Sequence, residues 1–260
     1  MNAFLFPGQG SQYSGMGKDL ADNFDVAKLV FEEANDALGF DIAAMCFSGS
    51  DEDLKLTANT QPAILTTSIA ALRVLEQESD LQPAFAAGHS LGEYTAIVAV
   101  GALKLADAVQ IVRQRGTFMQ EAVPVGVGAM AAIMGIDAPE LTQLCERAAE
   151  GEVVGPANFN SPGQIVIAGH ASAVERAMSL AKEAGAKRAL PLPVSAPFHS
   201  ALMAPAAKRL SEALEAVSVA EFKCPVVGNV EAVPYQEPER VKPLLVEHLC
   251  AAVRRDGSRY

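Results

Sequence analysis

Residues 84–100 read AFAAGHSLGEYTAIVAV, and the five at the centre, Gly88-His89-Ser90-Leu91-Gly92, admit two structures. The apolar residues before Gly88 predict a short strand. The run from Leu91 to about Val100 predicts a helix. A serine at a sharp strand-to-helix turn, with glycine two residues away on either side, is a nucleophile elbow. The glycines relieve crowding, and the turn lifts the hydroxyl clear of the sheet. The helix N-terminus then favours an anion developing nearby. The same residues also fit a capping box. In Ser90-Leu91-Gly92-Glu93 the serine would cap the helix and the glutamate would reach back to it. The pentapeptide alone leaves both readings open.

The flanking sequence supplies an α/β frame. AFLF, halted by Pro7-Gly8, predicts a buried strand entering a loop. Helical spacing of Leu20, Phe24, Ala27, Val30, Phe31 and Ala34 predicts a helix over 17–38. QPAILTTSIAALRVLEQ predicts another, with Pro62 in its first turn. LADAVQIVRQRGTFMQEAV predicts a third after the elbow helix. Strands alternating with helices imply a mostly parallel sheet covered on both faces.

From Gly128 the pattern changes. GAMAAIMG is a strand, APELTQLCERAAE a helix, EVVGPANF and GQIVIAG are strands, SAVERAMSLAKEAG is a helix and RALPLPV a strand. This β-α-β-β-α-β order is the ferredoxin-like unit. The expected division is therefore 1–127 and 195–260 as a parallel-sheet domain, with 128–194 inserted. After the insert come a helix at ALMAPAAKRLSEALEAV, a strand at CPVVGNV and a helix at ERVKPLLVEHLCAAV.

Composition narrows the class. With 260 residues, half of them hydrophobic, the chain is large enough for a substantial core. A net charge of -11 argues against general nucleic-acid binding. The four cysteines are far apart and show no metal-ligand or disulfide spacing, which suits a reducing cytoplasm. The N-terminus lacks the basic region of a signal peptide, and no apolar stretch is long enough for a span. No membrane partner is expected.

A nucleophilic serine needs a base. Of the four histidines, His89 precedes the serine and should point away from its hydroxyl. His170 sits where a strand meets a helix and reads as a local cap or surface residue, and His248 lies in the last expected helix. His199 follows PLPVSAPF at a strand end, a usual place for catalytic groups in an open α/β sheet and equally for an ordinary loop histidine. An oxyanion needs two donors. The Leu91 N–H is one, and the glycine-rich loop FPGQGSQ offers Gln9 as the second, unless that loop is a plain turn. Arg115 lies toward an apolar helix face with Ile111, Phe118 and Met119. It is either a snorkelling stem or an anion binder.

Taken in order, FPGQGSQ, QPAILTTSIA, GHSLGEYTA, RGTFMQEAVP, NFNSPGQIVIAG, GAKRALPLPVSAPFH and LMAPAA carry a resemblance. From Met1 to about Val246 the chain resembles the malonyl-CoA:acyl-carrier-protein transacylases of fatty-acid synthesis. The resemblance implies an α/β-hydrolase-like parallel-sheet domain with a ferredoxin-like insert. It implies Ser90 as nucleophile, His199 as base, and Gln9 and Leu91 as the oxyanion hole. Arg115 is implied to grip the malonyl carboxylate. Met119, Asn160 on its loop, the bulky Phe198 and His248 join it as expected substrate-site residues. The implied partners are malonyl-CoA and an acyl carrier protein, met by a monomer. No cofactor or metal is implied.

The family pattern then continues with Gln-Leu-x-x-Pro-Val-x-Trp and a further strand and helix. Here that run is His248-Leu249-Cys250-Ala251-Ala252-Val253-Arg254-Arg255. Family members present a backbone carbonyl from this segment to the catalytic histidine, and His248 occupies the matching position. The expectation is that the last family elements are missing, which puts stability and the support of His199 in question. Two rivals stay open: a serine esterase or thioesterase, and an inactive carrier-protein-binding module. Lys187-Arg188 and Lys208-Arg209 are candidate basic patches for a carrier, or else plain solvated surface.

Overall fold

The computed structural model describes residues 1–194 and 196–254. In chain order the elements are β1 Ala3–Phe6, α1 Lys18–Asn23, α2 Asp25–Leu38, α3 Ile42–Ser48, α4 Asp51–Lys55, α5 Thr57–Glu78, β2 Phe85–Gly88 and α6 Leu91–Ala99. Then come α7 Leu105–Glu121, β3 Gly128–Met134, α8 Ala138–Ala149, β4 Val154–Ser161, β5 Gln164–His170, α9 Ala171–Glu183 and β6 Arg188–Pro191. The chain continues with α10 Ala204–Leu214, β7 Val226–Val227, β8 Pro234–Tyr235, α11 Pro238–Glu247 and β9 Val253–Arg254.

One compact unit comprises Met1–Thr117, Glu212–Gly228 and Val233–Lys242. Its sheet has the order β1-β2-β7-β8. The first two pairings are parallel and β8 is antiparallel to β7. Helix α6 packs on β1 and β2, and α5 packs on α6. The expected buried strand AFLF is an edge strand of this sheet, and its Leu5 is 65% exposed. The expected helix over 17–38 is two helices. The Asn23 side-chain amide donates to the Asp19 carbonyl, competing with the helical ladder, and Phe24 turns extended at φ -134°. Ala27, Val30, Phe31 and Ala34 still form the buried stripe of α2.

Pro62 lies beyond the first turn of α5, because the helix begins earlier, at Thr57. A proline there leaves the carbonyl four residues back without its helical donor. That carbonyl, Ala58 O, accepts instead from Arg113 Nη1 at 3.3 Å. Helix α7 is held close to α5 by a second feature. A Cβ on Gly116 would lie 2.6 Å from the Thr57 carbonyl and 2.7 Å from Ala58 Cα, so only glycine allows this approach.

The other unit comprises Phe118–Ser211, Asn229–Ala232 and Pro243–Tyr260. The stretch 128–194, expected as the insert, lies wholly within it. Its sheet has the order β6-β3-β5-β4-β9. Four of these strands are antiparallel neighbours in the ferredoxin-like order, and β9 adds a parallel pairing to β4. Helices α8 and α9 bury Leu141, Leu144, Val174 and Ala177 against Ile133, Phe159, Ile165 and Ile167 of the sheet. Strand β4 carries Pro156, which has no N–H to give an outer neighbour, and β9 pairs only beyond it, at Asn158 and Phe159. The helix expected to run to Val253 stops at Glu247, and Val253–Arg254 goes to the sheet instead. Ladder bonds to β4 prevail there over continuation of the helix.

Candidate active site

The elbow is built by close backbone contact. A Cβ on Gly88 would lie 1.9 Å from the Gly92 carbonyl carbon, and one on Gly92 would lie 2.3 Å from the Phe6 carbonyl oxygen. Gly88 and Gly92 therefore let strand β2, helix α6 and the end of β1 meet with no side chain between them. Gly88→Ala is expected to destabilise the fold by about 3 kcal/mol or more, since backbone rather than a flexible side chain must move. Gly155→Ala, where nothing lies within 4 Å of the added methyl, should be close to neutral. Denaturant titration of the two variants checks the contrast.

Ser90 sits at φ 51°, ψ -102°, a conformation non-glycine residues rarely adopt. Such strain persists only where the surroundings enforce it, and it clusters at functional sites. The serine half of the capping box is not formed, because the Ser90 side chain makes no cap hydrogen bond. Its Oγ accepts instead from Arg115 Nη2 at 3.1 Å. Glu93 is buried, and its Oε1 accepts from the Tyr235 hydroxyl at 3.2 Å. Leu91, the residue after the serine, is buried at the first turn of α6.

Arg115 is 1% exposed, which excludes the snorkelling alternative. Its Nη1 donates to Gln61 Oε1 at 2.8 Å, and its guanidinium carbon lies 5.3 Å from the centre of the Tyr94 ring. Among the described residues the buried Nε has no hydrogen-bond partner. Burial pushes the Arg115 pKa down from its usual value, while Tyr94 and Glu93 oppose that shift. Burial also raises the Tyr94 phenol to about 12, partly offset by Arg115. The result is a desolvated guanidinium at the serine hydroxyl, with donor capacity to spare for an anion.

The loop after β1 lies against the elbow. A Cβ on Gly8 would come within 2.4 Å of the His89 carbonyl oxygen. Gln9 follows Gly8, and its side-chain amide donates to Thr57 Oγ1 at 3.3 Å. Gln61 and Thr57 were not singled out from the sequence as site residues. Their signal is that both are polar yet buried in the apolar stretch around QPAILTTSIA.

In the second unit His199 is also left-handed, at φ 58°, and buried. Its Nδ1 lies 2.8 Å from the carbonyl oxygen of His248. A carbonyl only accepts, so Nδ1 carries the proton and Nε2 keeps the lone pair that a base needs. The neighbouring Ser200 hydroxyl ties back to the Pro197 carbonyl at 2.7 Å. Phe198 and Met119 are buried. Asn160 is half-buried and lies in strand β4, beside a bulge, rather than on a loop, because the pairing with β5 extends past it to Ser161. His170 accepts the Val153 N–H on its Nδ1 at 2.9 Å, a local structural role.

Residues 3–256 match the family model described as Acyl transferase domain. A relative named malonyl CoA-acyl carrier protein transacylase, from Bacillus subtilis (strain 168), is 53% identical over 257 residues. The alignment covers 98% of this chain and 81% of the relative. The chain belongs to the malonyl CoA-acyl carrier protein transacylase family. Among solved structures, the transacylase of this name from Coxiella burnetii superposes with a TM-score of 0.95 at 46% identity, over 97% of this chain and 80% of that one. A malonyl-transacylase solved in complex with a type II polyketide acyl-carrier protein gives a TM-score of 0.94 at 48% identity, over 97% of this chain and 82% of that one. The fold is thus the α/β-hydrolase-like fold with a ferredoxin-like subdomain found in this family. As in any transacylase of the family, the chemistry must deliver an acyl group to a thiol and keep it from water.

Proposed function

We propose that the chain moves a malonyl group from coenzyme A to the phosphopantetheine thiol of an acyl carrier protein through a malonyl-Ser90 ester. The observation that carries this reading is Arg115, a buried guanidinium hydrogen-bonded to the Ser90 hydroxyl. A hydrolase of simple esters has no use for a desolvated cation beside its nucleophile, whereas a malonyl half-thioester brings a free carboxylate to pair with it. Guanidinium binds carboxylate through two parallel hydrogen bonds. The curated and structural relatives, named for malonyl transfer to acyl carrier protein, support the same substrate pair.

In this reading Ser90 Oγ attacks the malonyl thioester carbonyl while His199 Nε2 takes its proton. The Leu91 and Gln9 N–H groups hold the oxyanion, and the positive end of α6 assists them. The close approach of the Gly8 loop to His89 supports the Gln9 assignment. Collapse of the intermediate breaks the C–S bond and releases coenzyme A as thiol, the proton returning from His199. The leaving thiol has a pKa of about 8.5, so its expulsion makes little demand on a general acid. The carrier thiol then attacks the ester by the same steps in reverse. Met119, Phe198 and Asn160 are assigned to the acyl-pocket surroundings. We assign the main-chain carbonyl of His248 the role of fixing the His199 tautomer, which a carboxylate performs in a serine triad. The thioester carries its own activation, so no metal or cofactor takes part. A cytoplasmic setting fits, and no helix among the described residues is long and apolar enough to cross a membrane.

Mixing the protein with malonyl-CoA and a phosphopantetheinylated carrier protein should give malonyl-carrier and free coenzyme A in equal amounts. Free malonate in place of malonyl-carrier would establish the hydrolase instead.

A further inference from the structure

The side chain of His248 does something its main-chain carbonyl does not. Its ring is fully buried and stacks on the ring of His199, with centroids 4.9 Å apart and planes 23° from parallel. One residue therefore meets His199 twice, through its carbonyl at Nδ1 and through its ring on the imidazole face. The carbonyl contact fixes one end of the imidazole but leaves the ring free to pivot about that hydrogen bond. A flat aromatic face stacked on it removes that freedom. His199 also occupies a left-handed backbone conformation, which needs support from its surroundings.

We propose that the His248 ring is a positioning residue that sets the plane of the His199 imidazole and supports its protonated form during acyl transfer. The proposal rests on the malonyl-transfer reading for its catalytic consequence but not for its geometry. When His199 accepts the nucleophile's proton it becomes an imidazolium. An aromatic face stacked on a cation attracts it, most strongly where water is excluded. A fixed ring plane also keeps Nε2 aimed through both half-reactions, and small losses of alignment are costly in rate.

Two variants separate the flat aromatic face from mere volume, and both retain the main-chain carbonyl. His248→Phe keeps a stacking ring, whereas His248→Leu fills similar space without one. Long-range proton–nitrogen NMR of the imidazoles, with His199 assigned by its loss in His199→Gln, reads tautomer and ring environment without reference to activity. Wild type and His248→Phe should show His199 as a single Nδ1–H tautomer with ring protons shifted upfield by the stacked neighbour. His248→Leu should keep the Nδ1–H tautomer, since the main-chain carbonyl remains, but lose the upfield shift and show broadened ring signals. In the transfer assay kcat should fall about tenfold in His248→Leu, with KM for malonyl-CoA little changed, and His248→Phe should recover most of the loss. A His248→Leu protein with wild-type His199 signals and wild-type kcat overturns the proposal. So does a folded His248→Phe protein as impaired as His248→Leu. If wild type transfers no malonyl group while the NMR pattern holds, the transfer reading fails and the orienting role of the stack stands.

Discussion

Replacing Ser90 with alanine is expected to lower malonyl transfer to the carrier thiol by about 10⁴-fold or more. The hydroxyl is the atom that carries the acyl group between two thiols, and nothing else at the elbow replaces it. Arg115, which donates to that hydroxyl, is a cation, and Gln61, which accepts from Arg115, is an amide; neither is a nucleophile at neutral pH. Alanine also suits the packing, since Ser90 is only half-buried and its side chain makes no cap bond. Its left-handed backbone angle is set by the surrounding glycine contacts, which the substitution leaves in place. The variant should therefore keep its thermal transition within a few degrees of wild type. Stopped transfer with an unchanged transition assigns the loss to chemistry. Retained transfer would remove Ser90 from the acyl route.

The second large effect is selective rather than general. Arg115→Ala should lower kcat/KM for malonyl-CoA by about 10²–10³-fold, the usual weight of a desolvated charge-assisted pair. Acetyl-CoA has no carboxylate to lose, so its use should change by no more than about threefold, or improve as a buried charge is removed. Arg115→Lys should recover only part of the malonyl activity, because an ammonium offers no planar fork and Gln61 Oε1 would compete for it. Parallel kinetics with the two donors decide the matter. Equal losses for malonyl and acetyl would mean that Arg115 supports the elbow rather than the substrate. The Ser90 Oγ contact at 3.1 Å makes that outcome a real competitor.

The main layers were legible because their patterns are long. The stripe of α2 repeats a helical period over many residues, and the elbow and the β-α-β-β-α-β order are each framed by apolar strands and helices. Strands β7, β8 and β9 contain two residues each, too few to show alternation, and they exist through the neighbours they pair with. The last expected helix misread its end for that reason, since Val253 and Arg254 answer to β4 across the sheet. At the site, Arg115 stood out as a cation on an apolar face, yet sequence left snorkelling open until burial closed it. Gln61, which accepts from Arg115 54 residues away, had no local signal that tied it to the arginine. The carbonyl of His248 could be named only through the family resemblance. Nothing in a sequence states where a main-chain oxygen points, and the ring stack beside it was not foreseen.

If the acyl group rests on Ser90 and leaves to a thiol, the intact mass of the protein after brief exposure to malonyl-CoA, followed by addition of the phosphopantetheinylated carrier, will show it. One malonyl ester per chain, mapped to Ser90, should persist in buffer and disappear when the carrier is added while the carrier gains the same mass. An ester that discharges to free malonate as fast without the carrier as with it, or no ester on Ser90 at all, would rule out transfer through Ser90 to a thiol.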